Sequence, residues 1–313
     1  LGACGGGWAA LSFALFVLRR APPGVAGGGG RRLGTRIGRF SGGDSRGVRL
    51  TDWRALAPLA ADQESANVFD LKNKTILVTG ASRGIGAALA RQVVAAGGRV
   101  IPHATGMSDA AAKVAREVGA DFVFEDLSSA GAGDRLFAAA LEAAGGEIDG
   151  VVNNAGIFEA SPLSGGGWDE GWTRTLAVNV RAPADICRAA VAHFRASAGG
   201  TIVNIASRAG HRGDGPDHGA YAASTGAVLA MTKTWARALA GEGIHLYAIA
   251  PGWVETRMAP EDIKKRADAI KDIPLGRVAQ PDEVAAMAVF LLTGACASAV
   301  GATMDINGAS YVR

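Results

Sequence analysis

From Leu71 onward, short runs of β-branched and apolar residues alternate with longer alanine-rich stretches whose apolar positions recur at helical spacing. Unbroken apolar runs are what strands buried on both faces require, and amphipathic crossovers are what covers them. "KTILVTG" (74–80) leads into "IGAALARQVVAAGG" (85–98), and "RVIPHAT" (99–105) leads into "SDAAAKVAREVG". "ADFVFEDLS" (120–128) precedes a helix near 130–144, and "IDGVVNNAG" (148–156) follows it. The scheme then repeats with "GTIVNIAS" (200–207), a long helix near 219–241, "IHLYAIAPG" (244–252), "PDEVAAMAVFLLTG" (281–294) and "ATMDING" (302–308). This alternation predicts a doubly wound α/β domain, a parallel sheet with helices on both faces. Seven strands in about 240 residues without an internal boundary place a single domain at 71–313.

Residues 1–70 read differently, as a low-complexity leader and linker. They carry the glycine runs at 5–7 and 27–30, and the apolar run "WAALSFALFVL" (8–18) followed by Arg19 and Arg20. That run is too short for a bilayer span, which needs about 20 apolar residues. An apolar run before Arg-rich, acid-poor sequence resembles an organelle-targeting leader, plastid or mitochondrial; without a working leader the expected place is the cytoplasm. The first residue is Leu, from which a truncated or processed start is expected. Residues 1–50 hold eight arginines against Asp44, a net +7, so a chain of total +3 leaves −4 for the remainder. A mildly acidic body argues against nucleic-acid partners, which need clustered cations. Cys4, Cys187 and Cys296 are widely spaced and fit neither a disulfide framework nor a metal site.

"TGASRGIG" (79–86) follows the first strand and opens a helix. Gly80 permits a tight turn, Gly84 lets the backbone approach a pyrophosphate, and Gly86 lets the helix pack on the sheet, leaving N-terminal amides to face phosphates. The spacing is GxxxGxG, and the position at the first strand-to-helix turn gives it weight as a dinucleotide site. Enzymes that use NAD usually end the second strand with an acid for the ribose 2′-hydroxyl. "PHATGMS" has none before Asp109, whereas Arg83 stands in the loop and Thr105 at the strand end. NADP(H) is therefore expected over NAD(H).

With "NNAG" (153–156), Asn179 in "AVNVRAP", Ser207 in "NIAS", Tyr221 in "YAAS" and "PGWVETRM" (251–258), the chain over 71–313 resembles the short-chain dehydrogenase/reductase family, most of all its beta-ketoacyl carrier-protein reductases. The resemblance implies a seven-stranded Rossmann sheet, a homotetramer, a place in fatty acid biosynthesis, and hydride exchange between an alcohol and a ketone or acyl thioester. It also implies coenzyme contacts at Ser82 and Ile85 of the glycine loop, at Asp126 and Leu127 beside the adenine, and at Asn154, Ala155 and Gly156 along the ribose. Pro251, Gly252, Val254 and Thr256 would flank the nicotinamide. "WVETRMAPEDIKKRADAIKDIPLGR" (253–277) resembles the family's mobile lid, framed by Trp253, Met258 and Ile273.

Ketone reduction needs an acid and a donor to hold the oxygen as charge builds on it. Tyr221 is the candidate acid, Ser207 the candidate donor, and Asn179, by the resemblance, supports a water in the proton path. The family places a lysine four residues after the tyrosine, on the same helix face; this chain has Thr225. A free phenol has pKa about 10, and lowering it by about three units corresponds to roughly 4 kcal/mol. Threonine offers a hydrogen bond to ribose but no charge. Lys233, about 18 Å along the helix, is too far to substitute. Arg208, Arg212, His211 and His218 lie on the intervening loop, as solvated side chains or as stand-ins. Three readings of Thr225 stand: a coding change from lysine, a slowed but working reductase, and a nucleotide-binding module without turnover.

Overall fold

Successive residues of a strand point to opposite faces, and here both faces are apolar. In β1 (Thr75–Val78), Ile76 and Val78 enter one core while Leu77 enters the other. The computed structural model describes residues 69–164, 166–258 and 262–313, without the side chains of 263–265; the leader and its targeting reading lie outside the described residues. Seven strands form one parallel sheet: β1, β2 (Arg99–Ala104), β3 (Val123–Phe124), β4 (Gly150–Asn153), β5 (Gly200–Ile205), β6 (Ile244–Pro251) and β7 (Thr303–Ile306), in the order β3-β2-β1-β4-β5-β6-β7. All seven expected strands are present, and the doubly wound fold is as the pattern predicts.

Helices α1 (Gly84–Ala95), α2 (Asp109–Val118), α3 (Ala132–Ala144), α4 (Trp168–Leu176), α5 (Ala182–Ala196), α6 (Ala209–Arg212), α7 (Gly219–Leu239), α8 (Ile263–Lys271) and α9 (Pro281–Leu292) connect and cover the strands. Leu89 and Val93 of α1, Val114 of α2 and Val284 to Leu292 of α9 fill one core. Leu136 and Phe137 of α3, Ile186 and Phe194 of α5 and Leu239 of α7 fill the other. Two side-chain caps open helices: Ser108 accepts from the Ala111 N–H at 3.2 Å to open α2, and Gln280 with Glu283 forms a reciprocal cap on α9. Between α4 and α5 the chain widens into one π turn (Ala177–Arg181) that carries Asn179, a distortion frequent at functional sites. Among the described residues no helix is long and apolar enough to cross a membrane, and no cluster of His, Cys, Asp or Glu has the arrangement of a metal site.

The strand order reverses between β1 and β4, the two neighbours that diverge to opposite sides. In open parallel sheets a crevice forms at this point beyond the carboxyl ends of the strands. Everything described next gathers there.

Candidate active site

The crevice is a cleft of about 770 Å³ that brings together Gly80, Ser82, Arg83, Gly84 and Ile85 from the glycine loop and Thr105 from the end of β2. Asp126, Leu127, Asn154, Ala155 and Gly156 line it from the next two strand ends. Pro251, Gly252, Val254 and Thr256 close it after β6, and Asn179, Ser207, Tyr221 and Thr225 stand at its reaction end. Of the expected site residues only Gly86 does not line it, and its function is packing. A Cβ there would sit 2.1 Å from the Gly80 carbonyl oxygen, so only glycine lets α1 press against the loop. Gly80 itself has φ +66° and faces Ala155, where a Cβ would approach within 2.9 Å of the Cα.

The residues fit a dinucleotide. The N-cap of α1 is Arg83, whose side chain makes no cap, and the first turn holds no acid, so the helix presents unpaired amides to the cleft. The far wall is fixed by a residue the sequence did not single out: Thr79 Oγ1 accepts from the backbone N–H groups of both Asn154 and Ala155 at 2.9 Å, while Asn154 Nδ2 donates to the Thr79 carbonyl at 2.9 Å. His103, also unsuspected, lines the same cleft and is bonded to Gly80. The Asp126 carboxylate is turned to the Ser128 N–H at 3.0 Å, which holds it below the usual carboxylate range.

At the reaction end, burial pushes the Tyr221 phenol above its ordinary value; the Ser207 hydroxyl opposes this, and the Asp214 carboxylate adds to it. Asp214 lines the same cleft, whereas the family's cation position is held by Thr225. Thr225 is buried, and its hydroxyl lies 3.1 Å from the carbonyls of both Tyr221 and Ala222. Its one proton is therefore directed to its own helix, so of the two expected modes, accepting or donating a hydrogen bond to ribose, accepting is the one left open. Asn179 is also engaged within the protein: Oδ1 accepts from the Ile157 N–H at 2.9 Å, and Nδ2 donates to the Ile157 carbonyl and to Ser224 Oγ. Its side chain clamps the loop after β4.

Loop charges expected to be solvated are partly structural. Arg208 is 8% exposed; its Nη1 donates to Ser310 Oγ and lies 3.6 Å from Asp272. Arg212 reaches Asp272 at 2.9 Å and the Ser310 carbonyl at 3.2 Å, and His211 stacks on Tyr311. These groups tie the segment after Ser207 to the end of α8 and to the chain's tail. His218 stacks on Phe158 at 4.0 Å, and Phe158 meets the Tyr221 ring edge-on at 4.7 Å. Trp253 and Met258 line the cleft as the lid reading expects, while Ile273 is buried. Cys187 is buried between Asn153 and Asn204, and burial pushes its thiol up to about 12.

A family model described as enoyl-(acyl carrier protein) reductase matches residues 80–308. The 3beta-hydroxysteroid dehydrogenase 1 of Eggerthella lenta is 37% identical over 248 residues, covering 76% of this chain and 94% of that protein. The 3-oxoacyl-[acyl-carrier-protein] reductase of Vibrio harveyi is 33% identical over 255 residues, covering 78% of this chain and all of that protein. A solved structure of a blue fluorescent protein from a metagenomic library, in complex with NADPH, superposes with a TM-score of 0.72 at 31% identity, covering 78% of this chain and all of that one.

Proposed function

Because the chain belongs to the short-chain dehydrogenase/reductase family, enzymes that act on CH–OH or ketone groups with a nicotinamide coenzyme, we propose that it is an NADPH-dependent carbonyl reductase whose turnover is slowed by Thr225. The observation that carries this is the placing of Tyr221 and Ser207 in the same cleft as an uncapped helix N-terminus. Arg83 and Thr105, with no acid at the end of β2, support a 2′-phosphate and hence NADP(H) over NAD(H). The NADPH held by the metagenomic neighbour supports the same choice.

Bound in the cleft, the reduced coenzyme supplies a hydride. Ser207 holds the substrate oxygen as negative charge develops on it, and Tyr221 gives that oxygen its proton, so that ketone, hydride and proton together make the alcohol. A phenol with a raised pKa leaves little phenolate to act as a base but starts this step in the required, protonated form. The missing ammonium therefore costs reduction less than it costs alcohol oxidation, which needs the phenolate. A 3-oxoacyl thioester or similar ketone is the proposed substrate, supported by the Vibrio harveyi relative, and with it a part in fatty acid biosynthesis. Assembly as a homotetramer and delivery to a plastid or mitochondrion are proposed on the family resemblance and on residues 1–70.

NADPH oxidation followed with acetoacetyl thioesters and simple ketones tests the reading: turnover that disappears in Tyr221→Phe supports it. NADPH binding without turnover on any of them favours the second reading, a nucleotide-binding module. That alternative rests on the Thr225 hydroxyl being consumed by its own helix.

A further inference from the structure

We propose that His103 is a positioning residue that makes coenzyme binding pH-dependent: its neutral ring holds the first amide of the glycine loop in place, and protonation of the ring releases it. This rests on the coenzyme reading above. His103 is 1% exposed near the end of β2, between the loop after β1 and the loop after β3. The Gly80 N–H donates to Nδ1 at 3.2 Å, and Nε2 lies 3.0 Å from the Glu125 carbonyl oxygen. An amide N–H only donates and a carbonyl only accepts, so the two partners decide the tautomer: Nδ1 is bare and Nε2 carries the proton. The main-chain carbonyl of His103 also accepts from the Ala81 N–H at 2.7 Å. One residue thus fixes two consecutive amides of the loop that faces the phosphates. Both ring nitrogens are committed within the protein, so the ring acts on the coenzyme through Gly80.

A proton on Nδ1 would set N–H against N–H, and the contact to Gly80 must then break. Of the surrounding charges, Glu125 at the end of β3 favours the protonated ring, but its carboxylate is paired with Arg135 of α3 at 2.7 Å. Arg83 and Asp126 stand along the same cleft. β1 brings no titratable side chain, and α2 turns Ala111 and Val114 inward while its charged residues are exposed. Burial lowers the His103 pKa from its ordinary 6.5 more than Glu125 raises it. The released state therefore takes up a proton more readily than the formed loop does, and the formed loop loses ground as pH falls below about 6.5.

The test is NADPH titration by fluorescence on the full chain, on His103→Asn and on His103→Leu, at about pH 7.5 and about pH 5.5. Asparagine places an oxygen near the position of Nδ1, so it accepts from Gly80 without titrating. From the high to the low pH, affinity is expected to fall several-fold in the parent and distinctly less in His103→Asn, and to be weak at both in His103→Leu. The coenzyme's own phosphate titrates in every arm and cancels from the comparison. Parallel falls in the parent and His103→Asn overturn this proposal alone. A parent that binds no NADPH at the higher pH overturns the coenzyme reading itself. If His103→Asn does not fold, imidazole nitrogen NMR of the parent decides: a proton on Nε2 at the higher pH supports the proposal, and a proton on Nδ1 overturns it.

Discussion

The two ends of the cleft are built to different degrees of completeness. At the coenzyme end the backbone of the two loops is placed by second residues: Gly86 admits the helix, Thr79 fixes Asn154 and Ala155, and His103 fixes Gly80 and Ala81. At the reaction end Tyr221 and Ser207 share the cleft, but the ammonium expected beside the phenol is replaced by a threonine turned to its own helix. One end works through shape and amide direction, the other through charge. On the proposed reading, coenzyme binding and turnover therefore rest on separate groups and are expected to be lost or restored independently.

The sharpest separation is Tyr221→Phe, which removes the acid and leaves the cleft's shape. Carbonyl reduction is expected to fall by about 10² to 10⁴, with NADPH affinity changed only a few-fold; equal losses in both would erase the distinction between the ends. Thr225→Lys works in the opposite direction. It should raise reduction by roughly 10² and raise alcohol oxidation, assayed near pH 8, by more, because a cation favours the phenolate. A rise confined to reduction would contradict the role given to charge. Gly86→Ala attacks the other end: its Cβ has no room beside the Gly80 carbonyl, and overpacking of this kind costs about 1 to 3 kcal/mol. Lower thermal stability and weaker NADPH binding are the expected readouts. Asp214→Asn is the mildest. Removing that carboxylate takes away one of the influences raising the Tyr221 pKa, so the alkaline limb of the reduction profile should begin at lower pH, with the maximal rate unchanged within about twofold. An unmoved limb would mean that burial alone sets the phenol.

How far the sequence could be read follows the range of the forces involved. Strands such as Thr75–Val78 and Ile244–Pro251 were legible because burial on both faces demands unbroken apolar runs. β3 pairs over only Val123 and Phe124, fewer residues than its apolar run suggests, because it lies at the sheet's edge. Helices α4 and α5 went unread: "WDEGWTRTL" is short and polar with a glycine inside, whereas α5 does bury Ile186, Ala190 and Phe194 at helical spacing behind an opening proline. The cleft lining was legible from motifs. Thr79 and His103 were not, since each matters only through a partner that strand order brings beside it, as Thr79 meets Asn154 from 75 positions away. Arg208 looked like a surface charge because its partners, Asp272 and Ser310, come from the far end of the chain.

That last arrangement bears on how α8 is coupled to the cleft. Asp272 follows directly on α8 and is shared by two guanidinium groups from the stretch that carries Ser207, while Ser310 is gripped by the same pair. A shift of α8 would therefore be passed through Asp272 to this guanidinium pair, and so to the segment that begins at Ser207, the residue proposed to hold the carbonyl oxygen.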